Sequence, residues 1–199
     1  MESTLRKQII NEWADNQPLQ QKIITLFEKV RDIPYGNINS RNPQDVYEQN
    51  KGTCSGKHEL LKELYEEIGI KVKKFLIVHH FNDLSINFPK NIKSILERDD
   101  IIDFHNFIKI LVNDNWVTID ATWDKPMKKL GFPANVHWNG KTNMNIAVSS
   151  NGKIFETLNP EDLKKEKLNK LPKKIQQNRK LFLQEATQWF DSLRDNKEI

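Results

Sequence analysis

Apolar residues recur at helical spacing throughout the N-terminal part of the chain. One stripe precedes Pro18 and a second follows it, and apolar positions three or four residues apart lie on one face of a helix. We therefore expect residues 4 to about 31 to be helical. The helix should end before Pro34, because the residue that precedes a proline avoids helical geometry. The two stripes consist of Leu5, Ile9, Trp13, Leu19, Ile23, Leu26, Phe27 and Val30.

A second helical pattern runs from about residue 54 to Ile68. Thr53 or Ser55 could cap its start, since both side chains accept backbone hydrogen bonds. Gly69 is expected to end it in a left-handed conformation. The apolar face of this helix consists of Leu60, Leu61, Leu64, Tyr65 and Ile68.

Two segments of alternating polarity predict a β-hairpin with its turn at residues 113–114. A two-residue turn there places Ile110 opposite Val117 and Ile108 opposite Ile119. Because successive side chains of a strand point to opposite faces, this register gives the hairpin one apolar and one mixed face. The apolar face consists of Ile108, Ile110, Val117, Ile119 and Ala121, and the mixed face of His105, Phe107, Lys109, Trp116, Thr118 and Asp120.

The same register brings a histidine close to an aspartate. Asp120 lies across from Phe107, so His105 is its diagonal neighbour on the same face. Diagonal partners are about 7–8 Å apart, which is within reach of a histidine–aspartate hydrogen bond. A one-residue slip would place the two side chains on opposite faces. The apolar pattern therefore predicts a His105–Asp120 pair.

The remaining segments complete a mixed fold. A strand is expected at 70–79, and short strands at 144–149 and 153–156. Residues 82–103 are expected to be a long polar insertion that contains a short helix at 90–97. We expect an α+β domain in which N-terminal helices pack on an antiparallel sheet.

The C-terminal part of the chain predicts two further helices, at about 161–169 and 173–194, separated by Pro172. The second helix has an apolar face and is expected to dock on the rest of the protein. We therefore divide the chain into a domain at 1–160 and a C-terminal helical extension at 161–199. The apolar face consists of Leu181, Phe182, Ala186, Trp189, Phe190 and Leu193.

Composition limits the classes of protein that are compatible with the chain. At 199 residues, with 37% apolar and 29% charged residues, it suits one domain with an appended element. No apolar run approaches the eighteen or so residues of a membrane span, and the N-terminus lacks the apolar stretch of a secretory signal. We therefore expect a cytoplasmic protein. The single cysteine excludes an internal disulfide and a thiolate zinc site.

Basic residues concentrate in one C-terminal segment. Residues 163–180 contain eight Lys or Arg and one acid, Glu166, whereas the net charge of the whole chain is +4. Such a segment could contact nucleic acid, an anionic membrane or an acidic partner. No nucleic-acid-binding motif accompanies it, so we interpret it as a solvated helix face and expect no nucleic-acid partner.

The only cysteine, Cys54, lies at the predicted start of the second helix. Unpaired N–H groups and the helix dipole favour a thiolate there, and a nearby imidazolium favours it further. We therefore expect Cys54 to be a nucleophile, with His105 as its base and Asp120 orienting that histidine. The simpler interpretation is that Cys54 is a buried apolar residue. His58, one helical turn beyond Cys54, is a rival base that we expect to point to solvent or the sheet edge.

Several neighbours of Cys54 have predicted supporting roles. Gly52 and Gly56 would leave room for substrate beside the sulfur. An oxyanion hole needs the Cys54 N–H and one more donor, for which Gln49 or Asn50 is near enough in sequence. Trp123 and Trp116 are candidates for the cleft wall, and Trp123 could shield the His–Asp pair from water. A metal site formed by Cys54, His58 and His79 matches no strong spacing motif, so no metal is expected.

These residues resemble the transglutaminase-like superfamily. The similar segments are Gly52-Thr53-Cys54-Ser55-Gly56, His105-Asn106-Phe107-Ile108 and Asn115 to Trp123, preceded by Ile33-Pro34-Tyr35. The resemblance covers roughly residues 25–125. It implies a papain-like fold in which a helix bearing cysteine packs on an antiparallel sheet bearing histidine and aspartate. It also implies that Cys54, His105 and Asp120 are nucleophile, base and orienting acid.

The resemblance has departures. Phe107 stands where the family often has tryptophan, the zinc-binding cysteine cluster of some members is excluded, and no calcium loop is visible. We expect no cofactor. Members of the family act on amides and esters by acyl chemistry, so a peptide or protein is the expected substrate. Hydrolysis is favoured over cross-linking because nothing in the sequence visibly excludes water or recruits an amine.

Two other functions are compatible with the sequence. One is an acyltransferase similar to arylamine N-acetyltransferases, which would bind coenzyme A and acylate Cys54. The other is a scaffold that binds a protein or nucleic acid through residues 163–180 without turnover. Labelling of Cys54 by a thiol-directed reagent distinguishes the scaffold, which needs no reactive thiol, from the hydrolase and the acyltransferase.

Overall fold

Four helices form the N-terminal part of the protein. The structure, a computed structural model, describes residues 1–148, 152–197 and 199. The first predicted helical region is divided at Pro18, which precedes the second helix, and Asn42 caps the third by accepting from the Gln44 N–H. Gly69 has a φ of 82°, as expected for the residue that ends the fourth helix. The helices are α1 Ser3–Ala14, α2 Leu19–Asp32, α3 Pro43–Glu48 and α4 Cys54–Glu67.

A four-stranded antiparallel sheet has the order β3-β2-β1-β4. The predicted register of the hairpin is confirmed, since Ile110 pairs with Val117 and Ile108 with Ile119. Residues 144–148, which we expected to be part of a strand, do not form one, and Ser149 and Asn151 lie outside the described residues. The strands are β1 Val72–His80, β2 Ile102–Val112, β3 Asn115–Ile119 and β4 Ile154–Glu156.

The main hydrophobic core lies between the N-terminal helices and the sheet. Helices α1, α2 and α4 pack on one another, and α4 packs on β2. All five residues of the predicted apolar hairpin face are buried in this core, together with the predicted apolar face of α4. The α+β class, with helices packed on an antiparallel sheet, is therefore confirmed. A helix that begins with cysteine lies against the strand that carries His105, as in a papain-like core.

A second hydrophobic core joins the C-terminal helices to the insertion between β1 and β2. The insertion contains a short 3-10 helix at Phe81–Asp83 and helix α5, Lys90–Arg98, where a short helix was predicted. Helix α6 spans Pro160–Asn169 and helix α7 spans Lys173–Asp195. Three apolar residues of α7 are fully buried against α5 and the segment that follows β3. They are Phe182, Ala186 and Phe190.

The basic segment at 163–180 is partly neutralised within the chain. Lys164 and Arg179 pair with Asp103, Lys174 pairs with Asp99, and Lys170 pairs with Glu166. This segment is therefore only in part a free positive surface. Within the described residues, every helix is too short or too polar to cross a bilayer.

Candidate active site

Helix α4 places Cys54 at its first position, directly after Thr53. The expected side-chain cap by Thr53 or Ser55 is not found, because the N-cap residue Thr53 makes no side-chain capping bond and the Ser55 hydroxyl bonds to Asn106. The first backbone N–H groups of a helix have no intrahelical acceptor, so this end attracts negative charge. The preceding loop is fixed by a short parallel bridge. In it the Gly52 N–H donates to the Pro34 carbonyl at 3.1 Å, and the Gly52 carbonyl accepts from the Gly36 N–H at 3.2 Å. The bridge holds the segment around residue 35 beside the start of α4.

The glycines next to Cys54 serve helix packing. A Cβ atom at Gly52 would lie 2.9 Å from Val46, and one at Gly56 would lie 2.6 Å from it. Both glycines therefore allow α3 to approach the start of α4 closely. The expectation that they leave room for substrate is wrong, because the space beside them is filled by the Val46 side chain.

The predicted His105–Asp120 hydrogen bond is confirmed. Nε2 of His105 lies 2.7 Å from Oδ2 of Asp120, and both side chains are buried. Asp120 also accepts from the backbone N–H groups of Ala147, at 2.8 Å, and Thr122, at 3.1 Å. Burial opposes the carboxylate, but the charge of His105 and these hydrogen bonds hold the Asp120 pKa well below its usual range. The carboxylate is thus a fixed acceptor for one ring nitrogen of His105.

His105 also affects the protonation of the Cys54 thiol. Burial raises the pKa of Cys54, but a hydrogen bond with His105 and the charges of Lys164 and His105 outweigh it and lower that pKa to about 7. Burial lowers the pKa of His105, whereas Asp120 and Cys54 raise it to about 10. The backbone N–H of Asn106 makes a smaller contribution that also lowers the Cys54 pKa. The two shifts favour a thiolate–imidazolium pair at neutral pH.

An ion cluster beside the thiol was not found by sequence reasoning. Asp103, at the start of β2, accepts from Arg179 at 2.7 Å and lies 3.3 Å from the Lys164 ammonium. Lys164 also donates to the Phe104 carbonyl, next to His105 in β2, at 2.6 Å. The two cations of this cluster, Lys164 and Arg179, come from α6 and α7. The local sequence around Asp103 therefore could not reveal the cluster.

The other two histidines near the site are neutral and buried. We expected His58 to point to solvent or the sheet edge, but its side chain is buried. Its Nδ1 lies 2.8 Å from the Cys54 carbonyl, and its Nε2 accepts from the Ala121 N–H at 2.9 Å. Burial lowers the pKa of His58 to about 4 and that of His79 to about 3. Both ring nitrogens of His58 therefore have partners other than the Cys54 sulfur. In the part of the chain that the structure describes, no group of three or more His, Cys, Asp or Glu is placed to hold a metal.

A narrow cavity reaches Cys54, which is itself 7% exposed. We call it the Cys54 cavity. Trp123 lines it, in agreement with its predicted place in the cleft wall, and donates its indole N–H to the Ala147 carbonyl at 3.0 Å. Residues of α7 form another wall, so access to the sulfur is shaped by the C-terminal helix.

Of the predicted site residues, Cys54 and Trp123 line this cavity, whereas five do not: His105, Asp120, Trp116, Gln49 and Asn50. Trp116 is on the expected sheet face, but it lies near the hairpin turn, is 38% exposed and packs under the Lys73 ammonium. Gln49 and Asn50 are exposed at the end of α3, and Asn50 lines a separate depression beside α2. Asn50 has a φ of 45°, in the left-handed region of backbone conformation. These positions give no support to the predicted oxyanion role of Gln49 or Asn50, or to Trp116 as part of the cleft wall.

Comparison with known proteins gives weak structural similarity. No family model matches the sequence, and no curated protein matches it. A crystal structure of a "putative cysteine protease" from Cytophaga hutchinsonii is similar, with 18% sequence identity and a TM-score of 0.42. The match covers 77% of this chain and 46% of the other, so this chain spans less than half the length of that protein. These values are too low to support an argument about function.

Proposed function

We propose that this protein is a cysteine-dependent enzyme that hydrolyses, or transfers the acyl group of, a peptide or amide. The single observation that carries the proposal is the convergence of Cys54, His105 and Asp120, which are distant in sequence. A thiol at a helix start, an imidazole bound to it and a carboxylate 2.7 Å from that imidazole make up the arrangement that nucleophilic catalysis requires. The resemblance to the transglutaminase-like superfamily supports the same assignment.

The proposed reaction has two steps. The Cys54 thiolate attacks the carbonyl carbon, a C–S bond forms, the C–N bond breaks, and the His105 imidazolium gives its proton to the leaving amine. Water then attacks the thioester, His105 takes the proton of that water, and the acid is released as the thiol is restored. Asp120 keeps Nε2 of His105 occupied, so Nδ1 serves the sulfur and the leaving group. An amine in place of water would give acyl transfer by the same route.

The oxyanion of each step needs two donors. We propose the Cys54 N–H and the hydroxyl of Tyr35. Tyr35 lines the Cys54 cavity, and its backbone N–H donates to Asp124 at 2.8 Å. Among the described residues, its hydroxyl has no hydrogen-bond partner. Burial and then the charge of Cys54 raise the Tyr35 pKa far above its usual value, so the hydroxyl stays a donor.

An acyl-enzyme experiment tests the proposal. Mixing the protein with p-nitrophenyl acetate, an activated acyl donor, should release a burst of nitrophenol and add one acetyl group to Cys54, detected by intact mass. Cys54→Ala should abolish the burst and the adduct. Asp120→Asn should slow acylation by about 10²–10⁴-fold, because the imidazole would lose its orientation. Unchanged ester cleavage by Cys54→Ala would contradict the proposal.

Acetyl-coenzyme A tests the acyltransferase alternative in the same assay. If it acetylates Cys54 faster than the activated ester at equal concentration, the enzyme is of the acyltransferase kind and water is not its acceptor. If it leaves Cys54 unmodified, the hydrolytic form of the proposal stands.

A further inference from the structure

The Cys54 cavity is lined mainly by apolar side chains. They come from the insertion before β2, the segment after β3 and helix α7, and they belong to the second hydrophobic core. An apolar lining directly beside a nucleophile contacts whatever group the nucleophile attacks. The apolar lining residues include Phe81, Phe88, Phe132, Phe182, Leu183 and Ala186.

The size of the cavity limits what it can receive. It has about 70 Å³ of free space, and a water molecule needs about 10–15 Å³ on this measure, so roughly five water-sized groups fit. A leucine side chain has four carbon atoms, whereas a phenylalanine side chain has seven. The cavity therefore fits one aliphatic side chain and is too small for an aromatic ring or a folded segment.

Charge and polarity further limit the kind of side chain that the Cys54 cavity can receive. Arg41, Lys164 and Arg179 line the cavity against one carboxylate, Asp103, so a cationic group entering it would be repelled. The hydroxyl of Thr53, next to Cys54, also lines the cavity and is buried without a hydrogen-bond partner in the described part of the chain. A buried hydroxyl of this kind lacks a polar partner that a bound peptide group would supply.

We propose that the Cys54 cavity binds the leucine-sized side chain of the residue whose carbonyl is attacked, with Leu183 of α7 setting the size limit. The Thr53 hydroxyl then bonds a backbone polar atom of that same residue. This inference rests on the function proposed above and adds the substrate class: peptides with an uncharged aliphatic residue on the acyl side.

A series of p-nitrophenyl esters of N-acetyl amino acids tests the inference. The leaving group is constant, so differences in kcat/KM report the acyl side chain alone. The leucine ester should exceed the glycine, phenylalanine and lysine esters by at least about tenfold, the discrimination typical of one or two apolar groups in a pocket. Leu183→Ala should raise kcat/KM for the phenylalanine ester by about tenfold and lower it for the leucine ester.

The control variant is Leu181→Ala, because Leu181 is on the exposed side of the same helix and does not line the cavity. It should keep the wild-type order of esters. Opposite changes for two esters in Leu183→Ala cannot result from misfolding, which would slow both.

Each outcome has a defined meaning. Three outcomes would overturn the pocket assignment: equal rates for all four esters, a preference for the lysine ester, or a Leu183→Ala profile that matches wild type. In each case, acylation of Cys54 by the glycine ester would still uphold the proposed function. Absence of Cys54 acylation by every ester, the glycine ester included, would overturn the proposed function and the pocket together.

Discussion

At the scale of single residues, the proposed nucleophilic reaction depends on the protonation state of one buried thiol, that of Cys54. An unperturbed thiol titrates near pH 8.5, whereas His105 and the charge of Lys164 lower the Cys54 pKa to about 7. The thiolate–imidazolium pair therefore forms as pH rises through about 7 and is lost as pH rises through about 10, where His105 releases its proton. Activity should follow a bell-shaped profile between these values.

Alkylation with iodoacetamide measures this ionisation directly, because the chain has one cysteine. The rate for wild type should rise with a midpoint near pH 7. In His105→Ala the midpoint should move above pH 8.5, and the rate at pH 7 should fall at least about tenfold, since burial then acts with less opposition. His80→Ala is the control, because His80 is exposed and pairs with Asp100. A wild-type midpoint at or above pH 8.5 would contradict an activated thiol.

Tyr35 gives a second prediction at this scale. Tyr35→Phe removes the proposed oxyanion donor, so kcat for ester cleavage should fall by about 10²–10³-fold with little change in KM. Alkylation of Cys54 develops no oxyanion, so its rate should stay near that of wild type. Tyr47→Phe, which loses a hydroxyl bonded to Glu12 at 2.7 Å, should leave both rates unchanged. Undiminished kcat in Tyr35→Phe would remove this residue from the mechanism.

At the scale of elements, a buried lysine fixes α4 relative to the segments that carry the site. The Lys57 ammonium donates to the carbonyls of Arg31 at 2.8 Å, Ile33 at 2.7 Å and Thr122 at 2.8 Å. These carbonyls belong to the end of α2, the loop before Tyr35 and the segment after Asp120. One side chain therefore joins the helix of the nucleophile to the segment that follows the aspartate.

Removing that ammonium should destabilise the fold. Lys57→Met leaves three buried carbonyls without a donor, and we expect the free energy of unfolding to fall by about 2–5 kcal/mol in urea denaturation. Lys62→Met on the same helix loses only partly exposed ion pairs with Glu59 and Glu66, and should cost less than about 1 kcal/mol. Equal losses for the two variants would show that the three bonds contribute little.

At the scale of the whole molecule, the C-terminal helices are part of the site. Phe190 of α7 is buried among Trp123, Phe132 and Tyr35, and Arg194 pairs with Asp124 at 2.9 Å. The division at residue 160 stays a prediction, since α7 shares a core with the segments that surround Cys54. We infer that α7 is a wall of the cleft as well as an extension of the chain.

This role makes α7 essential for stability. Phe190→Ala should lower the free energy of unfolding by about 3–5 kcal/mol, the usual cost of removing a buried phenylalanine. Leu181→Ala, at an exposed position of the same helix, should cost less than about 1 kcal/mol. Urea denaturation followed by tryptophan fluorescence measures both. A loss below about 1 kcal/mol for Phe190→Ala would mean that α7 is only loosely attached.

The sequence by itself determined the local structure and one pair of the site. The strand period of two and the two-residue turn permit one register that buries the isoleucines, and that register places His105 diagonal to Asp120, where the hydrogen bond is found. The helix start at Cys54 and the glycine stop at Gly69 were also predicted from neighbouring residues, although no side chain caps that start.

Only the tertiary structure decided which distant groups meet at the sulfur. The Asp103–Lys164–Arg179 cluster, the orientation of His58 and the cavity wall from α7 depend on how α4, α6 and α7 pack, and side-chain packing leaves no periodic signal in the chain. Gln49 and Asn50 were proposed from nearness in sequence alone, and both are exposed at the end of α3 and absent from the lining of the Cys54 cavity. Local periodicity determines elements and registers, whereas the surroundings of a nucleophile depend on long-range contacts.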